Sequence, residues 1–171
     1  RTIPRYLRQQ HQQSSFPASE NAVPHVLFGE YAGSPYIPLE RHREVFMDKI
    51  VSFIIPSYNV EKYLNICLTS FLNPEVLDQI EVIVVDDGSK DQTAQIARTY
   101  IEQYPQVFRL ISKENGGHGS AINAGTAQAV GRYLKVIDAD DWVVTENLKE
   151  FVEKLTDCSA DVVLNPYHQV D

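Results

Sequence analysis

The sequence predicts an α/β fold: a mainly parallel sheet with helices on both faces, preceded by an irregular N-terminal arm. Three observations predict it. From Ile50 onward, short apolar runs alternate with segments whose apolar residues recur at helical spacing. Polar loops follow four of these runs. Residues 1–49 hold no apolar period for ten residues and carry five of the nine prolines, Pro4, Pro17, Pro24, Pro35 and Pro38.

The first 49 residues read as an arm or linker. Gln9, Gln10, Gln12, Gln13, Ser14 and Ser15 form a polar cluster, and Val26, Leu27, Phe28, Tyr31 and Tyr36 are its candidates for packing. The domain occupies 50–171. Ile50 to Ile55 is nearly all apolar, as suits a strand buried on both faces, and Pro56 is expected to stop it. Leu64, Cys67, Leu68, Phe71 and Leu72 then recur at helical spacing until Asn73-Pro74. Ile80 to Val85 is a second apolar strand. Ala97, Tyr100, Ile101 and Tyr104 mark a second helix that ends before Pro105. Phe108 to Ile111 is a third strand, and Asn115 to Gly119 a glycine-rich loop. Ile122, Gly125, Thr126, Ala129 and Val130 give a third helix a face of mostly small residues. Tyr133 to Ile137 is a fourth strand. Leu148, Phe151, Val152 and Leu155 mark a fourth helix, and Asp161 to Leu164 is expected to begin a fifth strand.

Composition bounds the function. The 171 residues are 43% hydrophobic and 22% charged, enough for one core. The net charge is -8, and all of it lies in residues 49–171, because five basic and five acidic residues balance in 1–48. An acidic domain without a basic stripe argues against nucleic-acid binding. No apolar run reaches the roughly 18 residues of a membrane span. Cys67 and Cys158, 91 positions apart and outside any Cys-x-x-Cys, read as reduced thiols of a cytoplasmic protein.

In a parallel sheet, ligands bind at the carboxyl ends of the strands. The loops Pro56-Ser57-Tyr58-Asn59, Asp86-Asp87-Gly88-Ser89, Asn115 to Ser120 and Asp138-Ala139-Asp140-Asp141 should therefore converge. Three carboxylates within four residues repel one another unless a cation or hydrogen-bond donors lie among them, and hard oxygen ligands suit Mg²⁺ or Mn²⁺. The bland alternative is a solvated turn that caps the next helix. A carboxylate in Asp86-Asp87 suits a base N–H or a ribose hydroxyl, while Ser89 and Asp91 suit helix capping. The glycine loop is neither a Walker A loop nor a dinucleotide fingerprint, since Ile122 stands where the latter needs glycine. It can still present amides to an anion, with His118 as a phosphate or sugar contact or as a loop histidine without function. Trp142, after the acid cluster, reads as core or as a pocket wall, and Cys67 as core.

In order along the chain stand Ser52-Phe53-Ile54-Ile55-Pro56-Ser57-Tyr58-Asn59, Val84-Val85-Asp86-Asp87-Gly88-Ser89-Lys90-Asp91, Glu114-Asn115-Gly116-Gly117, Asn123-Ala124-Gly125 and Asp138-Ala139-Asp140-Asp141-Trp142. This ordered set resembles family 2 inverting glycosyltransferases of the GT-A fold. The stretch Asn115 to Ser120 resembles a bacterial subgroup of cell-surface polysaccharide or teichoic-acid assembly. The resemblance covers about residues 50–170. It implies a nucleotide-diphosphate sugar donor, most often a UDP-sugar, and a divalent metal, Mn²⁺ or Mg²⁺. It implies that Pro56, Tyr58, Asn59, Asp87, Gly117, His118 and Asp138 line the nucleotide-sugar pocket. Asp140, Asp138 and Asp141 are its metal candidates, the last as an alternative ligand. The acceptor would be a glycan or a lipid-linked molecule, and the work would be done in the cytoplasm or at the inner face of the membrane.

Two departures bear on activity. Many relatives carry arginine before the Asn-Ala-Gly, where this chain has Ile122. The chain stops at Asp171, whereas in the family the acceptor site and the catalytic carboxylate lie further on. No residue is assigned as the base, and the expectation is a donor-binding half with little or no activity alone. The alternative is a non-catalytic nucleotide-binding or interaction module of the same fold. A phosphoacceptor receiver domain has no use for the acid cluster or the glycine loop. An exposed sheet edge would favour a homodimer.

Overall fold

The computed structural model describes residues 49–165. The expected arm at 1–49 lies outside them except for Lys49. The strands are β1 (Val51–Ser57), β2 (Ile80–Asp86), β3 (Phe108–Ser112) and β4 (Tyr133–Val136). The helices are α1 (Leu64–Thr69), α2 (Thr93–Gln103), α3 (His118–Thr126) and α4 (Leu148–Thr156), the last entered through a 3₁₀ turn at Thr145–Asn147.

The sheet is parallel with order β3-β2-β1-β4. The chain steps outward from β1 to β3 and then returns to the other side of β1. The point where the order reverses lies between β1 and β4, and at the carboxyl ends of such strands ligands bind in parallel sheets.

Alternation along the buried strands divides the core into two layers. Phe53, Ile55, Val82 and Val84 face one side and pack with Leu64, Cys67 and Leu68 of α1, Ala97 of α2, and Val152 and Leu155 of α4. The Phe53 and Phe71 rings meet there at 4.8 Å between centroids. Ile54, Ile83 and Val85 face the other side and pack on Ala121 of α3. Gly125 lets α3 come this close, because a Cβ there would lie 2.5 Å from Ile54 Cγ2. Of the face read from the sequence only Gly125 and Ala129 meet the sheet: the helix ends at Thr126, Thr126 and Val130 are exposed, and Ala121 and Ala124 complete the contact.

Besides α1 and α3, which end at Thr69 and Thr126 and so fall short of the Leu72 and Val130 read from the sequence, three features differ from the sequence reading. Pro56 lies inside β1, opposite Val85. Ile50 and Ile54 direct their carbonyls to β4, where they accept from the Tyr133 and Ile137 amides. Pro56 follows with the same orientation, but β4 pairs no further than Ile54. Its missing N–H is therefore on a side with no partner to satisfy. Second, the glycine-rich segment becomes helix from His118, so His118, Gly119 and Ser120 form the first turn of α3. Third, residues 161–164 form no strand. Val162 and Leu164 are exposed, and Leu134 and Val136 on the outer strand β4 are half-exposed. Apolar composition alone does not make a strand where no ladder forms. Among the described residues, no helix is long and apolar enough to cross a membrane.

The amino end of the sheet is locked by a fully buried acid. Glu81 accepts hydrogen bonds from Ser52 Oγ at 2.5 Å, Arg109 at 2.6 Å and the Val130 amide at 3.1 Å. Ser52 Oγ in turn accepts from the Gly131 amide at 2.8 Å, and Arg109 also donates to the Gln128 carbonyl. This network joins β1, β2 and β3 to the connection that delivers β4. Removing one partner of a buried pair strands the other, at a cost of about 3–5 kcal/mol. Glu81→Ala should lower the urea midpoint by a corresponding amount with little change in slope. A loss below about 1 kcal/mol would show that Arg109 and Ser52 find other partners.

Candidate functional site

The carboxyl edge is built from the four loops expected there, and the first three are stapled together. After β1, Tyr58 is half-exposed and Asn59 adopts φ 53°. Asparagine tolerates this left-handed conformation because its short side chain bonds locally. Here the bonds reach the next loop: the Asn59 amide donates to Ser89 Oγ at 3.0 Å, and Asn59 Oδ1 accepts from the Lys90 amide at 2.8 Å. The Asp87 amide donates to the Ser57 carbonyl, and Asp86 Oδ1 accepts from the Ser89 amide. Asp91 caps α2 through the Thr93 amide and also accepts from the Glu61 amide.

The second and third loops meet at Asp87. Its carboxylate is buried and accepts from Lys113 Nζ at 2.5 Å, from the Gly116 amide at 3.0 Å and from the Gly117 amide at 2.7 Å. Gly88, at φ 78°, lies so close to the third loop that a Cβ would stand 3.0 Å from the Asn115 nitrogen. Asp87 thus fixes the chain at the residue before α3. The first amides of a helix have no intrahelical partner, so those of His118, Gly119 and Ser120 at the start of α3 are candidate anion donors.

The fourth loop faces this assembly. His118 Nε2 lies 3.7 Å from Asp138 Oδ1, both exposed. Ala139 is buried while Asp138 and Asp140 on either side are exposed, so both carboxylates leave the chain away from the core. Asp141 is exposed too, and its amide closes a turn on the Asp138 carbonyl. Beneath them Cys67 is buried. Burial first, and then the charges of Asp141 and Asp140, push its thiol up to about 12, so it is packing and not a nucleophile. Trp142 is 50% exposed, which removes the core reading of that residue. The loop beyond it is held from below: Val143 donates its amide to Ser70 Oγ, and Asn73 Nδ2 donates to the Thr145 carbonyl.

Among the described residues, no three His, Cys, Asp or Glu side chains converge as a ready-made metal cage. Mg²⁺ and Mn²⁺ do not require one when a ligand's phosphates complete the coordination. The donor set of exposed carboxylates fits a hard ion shared with a ligand.

Of the residues expected at the site, Asn59 is joined to the second loop, Asp87 to Gly117 at the α3 turn, and His118 approaches Asp138, while Pro56, Tyr58, Asp140 and Asp141 lie on the same loops without such a bond to the others. Sequence reasoning missed Lys113, whose signal was a single cation between a strand end and a glycine loop. It also missed Ser89 as a staple.

The model of the glycosyl transferase family 2 matches residues 52–170. The chain belongs to this family. Among curated relatives, the minor teichoic acid biosynthesis protein GgaB of Bacillus subtilis is 37% identical over 107 residues, 60% of this chain and 12% of GgaB. Among solved structures, TarS 1–349 of S. aureus in complex with UDP-GlcNAc superposes with TM-score 0.54 at 34% identity, over 63% of this chain and 31% of that one. The mannosyltransferase PcManGT of Pyrobaculum calidifontis, in complex with GDP-Man and Mn²⁺, gives TM-score 0.51 at 29% identity, over 63% and 32%. The matched region spans less than half the length of the first curated relatives, 18% and 41%.

The Asp87 environment makes a prediction about acid. The Lys113 hydrogen bond, aided by the Gly116 and Gly117 amides and opposed by burial, holds this carboxyl below the usual range. A lowered folded value contributes stability that is present above the unfolded pKa of about 3.9 and lost as pH falls through the folded value. The stability gap between the wild type and Asp87→Asn should therefore hold above about pH 5 and shrink as pH falls through the unfolded value of about 3.9 and on through the lower folded value. A gap constant with pH would mean that the carboxylate charge does not hold the loop.

Proposed function

We propose that this chain binds a nucleotide-diphosphate sugar, a UDP-sugar first of all, through a divalent metal, as the donor part of an inverting glycosyltransferase acting on a cell-surface glycan. The observation that carries the reading is the convergence of four loops at the switch point of the sheet, with free helix amides on one wall and carboxylates on the other. UDP-GlcNAc bound to TarS and GDP-Man with Mn²⁺ bound to PcManGT support the donor class and the ion. The part GgaB plays in teichoic acid biosynthesis supports the acceptor class.

In this reading Tyr58 and Asn59 line one wall of the nucleotide pocket, Pro56 sits under them, and Asp87 stands at the base end. Gly117 and His118 at the start of α3 serve the diphosphate. Asp138 lies between ribose and metal, and Asp140 holds the ion, with Asp141 as the alternative ligand. When bound, Mn²⁺ or Mg²⁺ supplies charge neutralisation at the departing diphosphate. An inverting transfer also needs a base for the acceptor hydroxyl. None of the site residues is assigned that role, so the chain alone should bind donor and turn it over weakly.

Calorimetric titration of UDP and GDP in Mn²⁺, repeated in EDTA and on Asp140→Ala, tests the reading. Binding should weaken at least about tenfold without metal and in the variant, the loss of one charge-assisted contact or more. Binding that ignores both changes would remove the metal and Asp140 from the site.

A further inference from the structure

Ser70 is a buried polar residue at the end of α1, and its hydroxyl is used twice. Oγ donates to the Cys67 carbonyl at 2.6 Å and accepts the Val143 amide at 3.1 Å. The Ser70 carbonyl accepts from Thr145 Oγ1 at 2.8 Å. Asn73, also buried, donates from Nδ2 to the Thr145 carbonyl at 2.9 Å, and its Oδ1 accepts the Glu75 amide at 3.0 Å. Three bonds thus tie the end of α1 to residues 143–145, just past the acid cluster at 138–141.

The cluster has few restraints of its own. β4 ends at Val136, and the next helical turn begins at Thr145. Between them Ile137 and Ala139 are buried, the Asp141 amide bonds back to the Asp138 carbonyl, and Trp142 and Val144 are half-exposed. Three exposed carboxylates in four residues repel one another, which favours a more open turn. The tether at Val143, two residues beyond Asp141, resists that opening. Cys67, three residues before Ser70, lies within the field of Asp141 and Asp140, so this end of the helix stands near the cluster.

The other end of α1 belongs to the first loop. The Val60 amide donates to Thr93 Oγ1 at 2.9 Å, and the Val60 carbonyl accepts the Tyr63 and Leu64 amides. One short helix therefore runs from the loop of Tyr58 and Asn59 to the tether of the acid loop. Resting on the donor reading above, we propose that Ser70 is a positioning residue for the metal: its hydroxyl holds the Val143 amide and so keeps the carboxylates of Asp138, Asp140 and Asp141 gathered for one ion. A hydroxyl donates to Cys67 and accepts from Val143 with a single atom, and alanine does neither. Groups that orient metal ligands are worth about ten- to a hundredfold in metal affinity.

The test uses the full chain with Mn²⁺ and excess UDP. Water-proton relaxation enhancement reports the Mn²⁺ held on the protein. Ser70→Ala should weaken Mn²⁺ binding about ten- to a hundredfold, and Ser70→Thr, which keeps the hydroxyl, should stay within about threefold of the wild type. In the Asp140→Ala background, Ser70→Ala should cost less than about threefold more, because the carboxylate it positions is gone. A merely structural role would carry the whole Ser70→Ala loss into that background, and that result overturns the proposal. A Ser70→Thr protein as weak as Ser70→Ala overturns it too.

The wild type alone gives a second reading that needs no variant to fold. If the tether supports binding, then by linkage binding supports the tether. Hydrogen exchange at the Val143 amide should slow at least about threefold when Mn²⁺ and UDP are added together. An amide indifferent to them overturns the role of Ser70. If the wild type takes up no Mn²⁺ with UDP, the donor reading itself fails and takes this one with it. Metal uptake that Ser70→Ala leaves unchanged overturns only the role of Ser70.

Discussion

The carboxylate of Asp87 is the contact on which the functional edge depends. A parallel sheet brings loops to one edge but does not fix them there. Asp87 leaves the end of β2 and holds the Gly116 and Gly117 amides, so the second and third loops become one rigid piece. Asn59 adds the first loop through Ser89 and Lys90. A buried carboxylate with fewer donors would be too costly to keep charged. With Lys113 and two amides around it the charge is stable, and the position of the α3 amino end follows from it. Preorganised donors of this kind need no rearrangement when an anion arrives.

The opposite end of the sheet serves the same purpose by other means. Glu81, Arg109 and Ser52 clamp the connection from α3 to β4, and so set where β4 begins. The short strand then delivers Asp138 to within 3.7 Å of His118. The two charged networks lie at opposite ends of the same strand, β2, whose residues between them, Val82 to Val85, are apolar and buried. Between them the apolar layers supply most of the driving force for folding, while the ionic clusters settle register and loop position.

Most of the fold was legible because its signals are local. β-branched runs, helical spacing of Leu64, Cys67 and Leu68, and the small-residue face of α3 each need no partner to be recognised. The errors came where a partner decides. Pro56 continues β1 because β4 has already ended on that side. Residues 161–164 are apolar enough for a strand, yet they find no ladder among the described residues. The four site loops were legible as a group, since strand order alone sends them to one edge. Their internal wiring was not. Glu81 stood in the middle of an apolar run as a visible exception, but only the register opposite Ser52 explains it. Lys113 looked like any loop lysine until its ammonium was seen against Asp87.

The central claim is that the acid cluster and the α3 turn hold one metal–nucleotide complex between them. Paramagnetic broadening by Mn²⁺, read on the backbone amides of the ¹⁵N-labelled chain with and without UDP, tests it most directly. The account predicts that with UDP the broadening centres on residues 138–141 and extends to 117–120 and 57–59, and that Mg²⁺ in excess restores the signals. Broadening that stays the same without nucleotide, or that centres on surface acids such as Glu150 and Glu153, would contradict it.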